Sequence, residues 1–182
     1  MFKKLMSVTL AAAIASAIVA FPAAAQTAGA DALAGRGPGG GGGRSVSQGV
    51  AQAPLSAAEK DALVQAIQEE YRARDLYRSV LDTWGNVAPF NTIVKSEQQH
   101  IAALERQASK YGVAIPAPET PDFPQFDNLA EACQAGVDAE IADAALYDDL
   151  LAVTAHSDLV RVYTNLQRAS LKAHLPAFEA CN

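Results

Sequence analysis

Apolar residues recur three and four positions apart through residues 55–182, and this helical period constrains the fold more than any other feature. It places one apolar stripe along each helix, and no part of this region alternates as a strand does. Ser56 followed by Glu59 forms a capping box, which predicts where the first helix begins. The period predicts four helices, over residues 56–84, 87–111, 127–153 and 157–179. The expected fold class is therefore all-α.

A proline-rich connection, VAIPAPETPDFPQ, separates the second and third predicted helices. About fifteen extended residues reach about 50 Å, whereas a helix of about 25 residues is about 37 Å long. The connection is therefore long enough to cross a helical bundle from end to end. Four helices with two short turns and this long link predict a four-helix bundle of ferritin-like connectivity, and a simple up-and-down bundle remains the alternative.

The first 25 residues have the features of a secretory signal peptide: two lysines, an apolar run and a small-residue site ending at Ala25. The run is short and rich in Ala for a retained membrane anchor, and no Cys follows it to accept a lipid. Residues 26–54 contain GRGPGGGGGR and few large apolar residues, which predicts a flexible tether. We expect a periplasmic or secreted protein that is free of the membrane after cleavage.

The remaining residues, 55–182, have the usual size of one domain. Removal of residues 1–25 takes away two Lys and no acid, so 14 basic and 20 acidic residues become 12 and 20, a net charge of −8. Nucleic acid phosphates repel such a chain, and nucleic acid is therefore not an expected partner.

The two halves of the helical region repeat one arrangement of polar residues. Each half has a Glu and a Tyr seven residues apart, followed by a His that ends a five-residue stretch beginning with Ser. The residues are Glu70, Tyr77, Glu97 and His100 in the first half, and Glu140, Tyr147 and His174 in the second. The repeat falls on the stripes that are expected to face inward.

These carboxylates and imidazoles predict a metal site. A buried ionised carboxylate costs several kcal/mol unless it is paired or binds a cation. Oxygen and nitrogen donors suit iron or manganese, with zinc as a further option, and we expect one or two ions. Tyr77 and Tyr147 are expected to hydrogen-bond the carboxylates and orient them. The alternative is that the acids lie at the edge of the stripe and reach water, and that the tyrosines are ordinary core aromatics.

The arrangement resembles that of rubrerythrin-like members of the ferritin-like superfamily, whose bundles hold two irons between carboxylates and histidines. The stretches EEYRARDLY, TWGNVAPFNTIVKSEQQH, AEIADAALYDDL and LVRVYTNLQRASLKAHLPAF together resemble the ferritin-like family called domain of unknown function 2202. The resemblance covers nearly all of residues 55–178. It implies a metal-dependent oxidoreductase, acting as an oxidase, peroxidase or ferroxidase. A non-catalytic metal-binding or structural bundle is the alternative.

The fourth predicted helix departs from the di-iron pattern at Leu171, where a second Glu-x-x-His would need its Glu. Only His174 is then expected to bind metal from that motif. Asp143, three residues after Glu140, is the candidate substitute, although an ordinary surface acid is an equal alternative. Gln167 is a candidate for a supporting neutral oxygen. We therefore expect one tightly held ion and a weaker position near His174.

Cys133 and Cys181 are the two cysteines of the chain. The first lies near the start of the third predicted helix and the second just past the end of the fourth, and an antiparallel hairpin brings those ends together. In an exported protein a disulfide is the expected state, with two buried free thiols as the alternative.

Overall fold

The computed structural model describes residues 53–119 and 122–181, and every regular element within these residues is helical. The elements are α1 (Ala57–Trp84), α2 (Phe90–Tyr111), α3 (Leu129–Val153), α4 (Ser157–Ala169), a π-helical segment (Ser170–His174) and α5 (Leu175–Glu179). The predicted all-α class is confirmed. The predicted signal peptide, and the predicted tether up to residue 52, lie outside the described residues.

Local signals account for most of the helix ends. Ser56 Oγ accepts a hydrogen bond from the Glu59 backbone N–H, and the Glu59 carboxylate accepts one from Ser56 N–H, which completes the predicted capping box. Asn128 Oδ1 accepts a hydrogen bond from the Glu131 backbone N–H and caps α3, so this helix begins two residues later than predicted. α2 also begins later than predicted, at Phe90, because Pro89 occupies the position before it. Gly112 ends α2 in the left-handed conformation, at φ 64°.

Two apolar clusters form the interior, and we name each after one central residue. The largest side chains of the Leu63 cluster that are fully buried are Leu63, Ile67, Leu104, Tyr147, Leu159 and Tyr163. The Phe178 cluster has as its largest members Tyr77, Phe90, Ile93, Val137 and Phe178. α1 packs against α2 and α3, while α3 also packs against α4, the π-helical segment and α5. Each cluster therefore draws on helices from both halves of the sequence.

The proline-rich link passes from one cluster to the other. Val113 and Ile115 pack against the Leu63 cluster, whereas Phe126, after the link, packs against the Phe178 cluster. The Gln68 side chain donates to the carbonyl of Pro116 at 3.2 Å, which holds the first part of the link against α1. Both ends of the link are therefore anchored in the interior.

The fourth predicted helix contains a π-helical segment that the helical period does not predict. In this segment the Leu175 N–H bonds to the Ser170 carbonyl, five residues earlier, which widens the turn. Because more residues complete each turn, the buried positions are Ser170 and His174, four apart. Leu171 is 38% exposed. Position 171, where the di-iron pattern would place a Glu, therefore lies toward solvent, and Ser170 is buried instead.

The predicted disulfide is present between Cys133 and Cys181, whose Cα atoms lie 5.9 Å apart. It ties the start of α3 to the turn that follows α5. In the described part of the chain, none of the helices combines the length and the apolar character of a membrane span.

Candidate metal centre

Five buried side chains from four parts of the fold meet between the two apolar clusters. α1 contributes Glu70, α2 contributes Glu97 and His100, α3 contributes Glu140, and the π-helical segment contributes His174. These are five of the six residues that the sequence suggests as metal ligands. Their donor atoms form two groups of three, each with all its donors within 4.8 Å of one another.

The first group consists of Glu70, Glu97 and His100. His100 Nδ1 lies 2.8 Å from Glu97 Oε2 and 3.2 Å from Glu70 Oε2. Because Glu97 and His100 are three residues apart on a regular α-helix, one helix face presents both of them to Glu70 of α1.

The second group consists of Glu97, Glu140 and His174. His174 Nδ1 lies 3.0 Å from Glu97 Oε1 and 3.4 Å from Glu140 Oε2. Glu97 therefore belongs to both groups and turns one oxygen toward each imidazole. A carboxylate in this position is suited to bridge two cations.

Two of the converging atoms have no hydrogen-bond partner among the described residues. Glu97 Oε1 and His174 Nδ1 are both buried and lie 3.0 Å apart, within ion-pair distance, but no well-aligned hydrogen bond joins either atom to the other or to another described neighbour. A buried polar atom without a partner is costly, and native proteins rarely leave one without a reason. Two such atoms that face each other have the chemistry of a cation site.

Each tyrosine of the repeat donates a hydrogen bond to the glutamate of the other half. The Tyr77 hydroxyl of α1 donates to Glu140 Oε1 of α3 at 2.6 Å. The Tyr147 hydroxyl of α3 donates to Glu70 Oε1 of α1 at 2.6 Å. Each acid is therefore held by one oxygen and turns the other toward an imidazole. Sequence spacing suggests such support, but the exchange of partners depends on how α1 and α3 pack.

Ser96 is a residue of this centre that sequence reasoning missed. Its Oγ lies 3.3 Å from His100 Nε2 and 3.0 Å from His174 Nε2. The two rings stack with centroids 5.4 Å apart. Ser96 therefore contacts the side of each ring that faces away from the carboxylates. A Ser four residues before the His, in both copies of the repeat, is the only signal the sequence offers.

Asp143 lies beside the second group without belonging to it. Its Oδ2 accepts a hydrogen bond from Ser170 Oγ at 2.5 Å, and its Oδ1 is buried without a partner among the described residues. Asp143 is only 7% exposed, so the alternative of an ordinary surface acid is wrong. The π-helical segment creates this contact by turning Ser170 inward.

Gln167 lies away from the two groups. Its amide donates to the Ala144 carbonyl at 2.9 Å and to Asp148 Oδ1 at 2.7 Å, both on α3. Among the described residues, no hydrogen bond links Gln167 to the two groups, so its predicted supporting role has no contact behind it. The wider turn after Ala169 changes the register between Gln167 and His174 from that of a regular helix.

The chain resembles known proteins in this region. Residues 59–128, which include Glu70, Glu97 and His100, match the family described as an uncharacterized protein domain, DUF2202. The uncharacterized protein MJ0754 of Methanocaldococcus jannaschii is 30% identical over 143 residues, which cover 69% of this chain and 75% of that protein. The chain belongs to the DUF2202 family. The crystal structure of hypothetical protein MJ0754 matches with a TM-score of 0.63 and 27% identity, covering 70% of this chain and 81% of that chain.

The charges of this DUF2202 centre are strongly coupled. Burial alone would lower the pKa of His100, but the Glu70 and Glu97 carboxylates outweigh it and raise the pKa to about 10. Burial likewise opposes the ionised form of His174, and Glu140 and Glu97 raise its pKa to about 9. The neighbouring carboxylates therefore favour the protonated form of both imidazoles when no metal is bound.

The pKa values of three buried carboxyl groups, Glu97, Glu70 and Asp143, are shifted in different directions. Burial acts to raise the pKa of Glu97, but contacts with both histidines bring it down to about 2. Burial dominates at Glu70 and raises its pKa well above the ordinary value. Burial also raises the pKa of Asp143 to about 7, against the hydrogen bond from Ser170. Glu97, between the two imidazoles, is therefore the strongest anion among these three acids.

Proposed function

We propose that this chain binds metal ions in the core of a ferritin-like four-helix bundle, at two positions that share Glu97. The observation that carries the proposal is the buried pair Glu97 Oε1 and His174 Nδ1, which lie 3.0 Å apart and lack hydrogen-bond partners among the described residues. A cation between them would satisfy both atoms. Metal binding would also require the imidazole nitrogen that faces the metal to be free of its proton.

The donor types favour iron or manganese, with zinc as a weaker option. The two groups offer carboxylate oxygens and imidazole nitrogens. The two cysteines form a disulfide and supply no thiolate. Such an oxygen-rich set is characteristic of iron and manganese centres, whereas structural zinc sites usually include thiolates.

We further propose an oxidoreductase role, in which bound iron would supply the chemistry of dioxygen, peroxide or ferrous ion. The residues of the chain would hold and orient the centre. Tyr77 and Tyr147 fix the outer carboxylates, and the Leu63 and Phe178 clusters exclude bulk water on either side. The non-catalytic metal-binding bundle is the competing function, and turnover separates the two.

We also propose that the protein is exported. The signal-like first 25 residues support this location. The disulfide supports it too, because such bonds persist mainly in oxidising compartments.

The experiment compares the mature chain with Glu97→Ala and with the matched control Gln98→Ala, an exposed neighbour on α2. Each protein is stripped of metal and titrated with ferrous, manganous and zinc ions, and the bound metal is then counted. We expect the parent and Gln98→Ala to bind two ions, and Glu97→Ala to bind at least about 100-fold more weakly at both positions, because it removes a ligand that both share.

Unchanged metal content in Glu97→Ala would contradict the proposal. Oxygen consumption during ferrous titration then tests the chemistry. Consumption by the parent and by Gln98→Ala, lost in Glu97→Ala, supports the oxidoreductase role. Tight binding with no consumption, with or without added peroxide, supports the non-catalytic bundle instead.

A further inference from the structure

A pocket of about 410 Å³ lies against the imidazole side of the candidate centre. It is formed where the start of α2 meets the π-helical segment and α5. The lining residues are Ala88, Pro89, Thr92, Ile93, Ser96, Ala173, His174 and Ala177. Its volume falls in the lower part of the range for small-molecule sites.

The pocket has an open rim and a buried floor. Ala88, Thr92 and Ala173 are exposed at the rim, whereas Ile93 and His174 are buried. The lining is mainly apolar and contains no Lys, Arg, Asp or Glu. A charged ligand would lose its hydration here without a Lys, Arg, Asp or Glu partner at the walls, and His174 is neutral when it binds a metal, which favours an uncharged ligand.

Ser96 connects the floor of the pocket to both histidines. If Nδ1 of each ring faces a metal, as the proposed function requires, each Nε2 carries the ring hydrogen. Ser96 Oγ then accepts from His174 Nε2 at 3.0 Å and from His100 Nε2 at 3.3 Å. These two bonds occupy the acceptor sites of the hydroxyl, and its own hydrogen is left to donate. Because Ser96 lines the pocket, that hydrogen is available to a ligand there.

We propose that this pocket binds a small uncharged organic molecule through one acceptor oxygen, such as a ketone or aldehyde carbonyl, that receives a hydrogen bond from Ser96. The apolar body of the ligand lies against Ile93, Pro89 and Ala177. The inference rests on the proposed function, and it names the substrate class for the same centre. The ligand approaches from the side of the imidazoles that faces away from the carboxylates, and Ser96 couples it to both rings.

The test uses three probes of similar size: cyclohexanone, methylcyclohexane and cyclohexanecarboxylate. Each is titrated into the zinc-loaded mature protein, and amide chemical shifts are followed by NMR. We expect cyclohexanone to bind in about the millimolar range, with the largest shifts at Thr92, Ser96 and Ala177. Methylcyclohexane should bind more weakly at the same residues, and cyclohexanecarboxylate should not bind there.

Two variants separate shape from hydrogen bonding. Ala177→Leu fills the pocket and should abolish the shifts from both neutral probes, whereas Ala145→Leu, at an exposed position of α3, should leave them unchanged. Ser96→Ala should weaken cyclohexanone about 3- to 10-fold and leave methylcyclohexane unaffected. A loss of affinity in Ser96→Ala for cyclohexanone but not for methylcyclohexane distinguishes a hydrogen bond from a general loss of packing.

The opposite results are equally clear. Metal binding with no ketone shifts at the pocket, or stronger binding of the carboxylate than of the ketone, would overturn this inference and leave the proposed metal function standing. An equal loss of both neutral probes in Ser96→Ala would overturn the role of its hydroxyl. If the protein takes up no metal in the titrations and still binds cyclohexanone at the pocket, the pocket is supported and the proposed metal function is overturned.

Discussion

The two halves of the candidate centre reach nearly the same donor geometry through different local structures. In the first half, Glu97 and His100 share one face of a regular α-helix. In the second half, His174 comes from a π-helical segment, and its acids come from α2 and α3. The repeat in the sequence therefore marks the residue types of the centre, while the helical register that presents them is decided separately in each half.

The serines of the repeat show the same divergence. Ser96 and Ser170 both stand four residues before a histidine. Ser96 contacts the two imidazoles, whereas Ser170 donates to Asp143. Ala73, three residues after Glu70, is the counterpart of Asp143, so only the second half carries this additional buried acid. Asp143 lies beside the second group but is not one of its three donors.

Replacing the two histidines separately should have the largest effect on metal binding. We expect His100→Ala and His174→Ala each to lose one of two bound ions, because each ring serves one group while Glu97 serves both. His156→Ala is the control, since His156 contacts Glu59 outside the centre. Metal counting and calorimetric titration measure the result. Loss of both ions from either single variant would mean that the halves act as one site.

Removing the disulfide should affect the two halves unequally. Cys133 and Cys181 close a separation of 48 residues that contains the π-helical segment. The Cys133→Ser, Cys181→Ser double variant should lose about 2–4 kcal/mol of unfolding free energy. Its second group should weaken more than its first, because His174 lies within the chain that the bond restrains. Equal weakening of both ions in titrations, against the oxidised parent, would contradict this.

Glu59 is a buried acid that lies outside both halves of the centre. Burial acts to raise the pKa of Glu59, but hydrogen bonds from His156, Ser56 and the Ala155 backbone hold it well below the ordinary 4.5. A depressed pKa contributes stability above pH 4.5, and this contribution is lost as the pH falls through the folded-state pKa. Glu59→Gln should therefore lose about 1–2 kcal/mol at pH 7.

Urea unfolding of the parent and of Glu59→Gln at several pH values checks this expectation. The difference between the two proteins should shrink as the pH falls below 4.5. Metal stoichiometry should stay the same in both proteins at pH 7. A stability difference that does not change with pH would show that the charge of Glu59 has no part in it.

Substitution at Leu171 should have the smallest effect. Because this side chain is 38% exposed, Leu171→Glu places its acid at the surface and should change stability by less than about 0.5 kcal/mol. Metal stoichiometry should remain that of the parent. A third bound ion, or a tighter second one, would show that position 171 does reach the centre. It would also mean that position 171 can supply a ligand in the second half as Glu97 does in the first.

The sequence by itself determined the features that depend on neighbouring residues. The helical period, the capping box at Ser56 and the glycine after α2 act within a few residues, so they specify helices and most of their ends locally. The repeat of Glu, Tyr and His singled out the residues that meet in the interior. The positions of the two cysteines, at helix ends that an antiparallel hairpin joins, were enough to predict their bond.

Only the tertiary structure decided which of these residues face one another. The crossing of Tyr77 to Glu140 and of Tyr147 to Glu70 depends on the packing of α1 against α3. The π-helical segment cannot be read from the apolar period, because its wider turn replaces regular helical hydrogen bonds and is compensated by distant contacts such as Ser170 with Asp143. That turn exposed Leu171 and brought in Ser170, since side-chain direction over a helix depends on every turn before it.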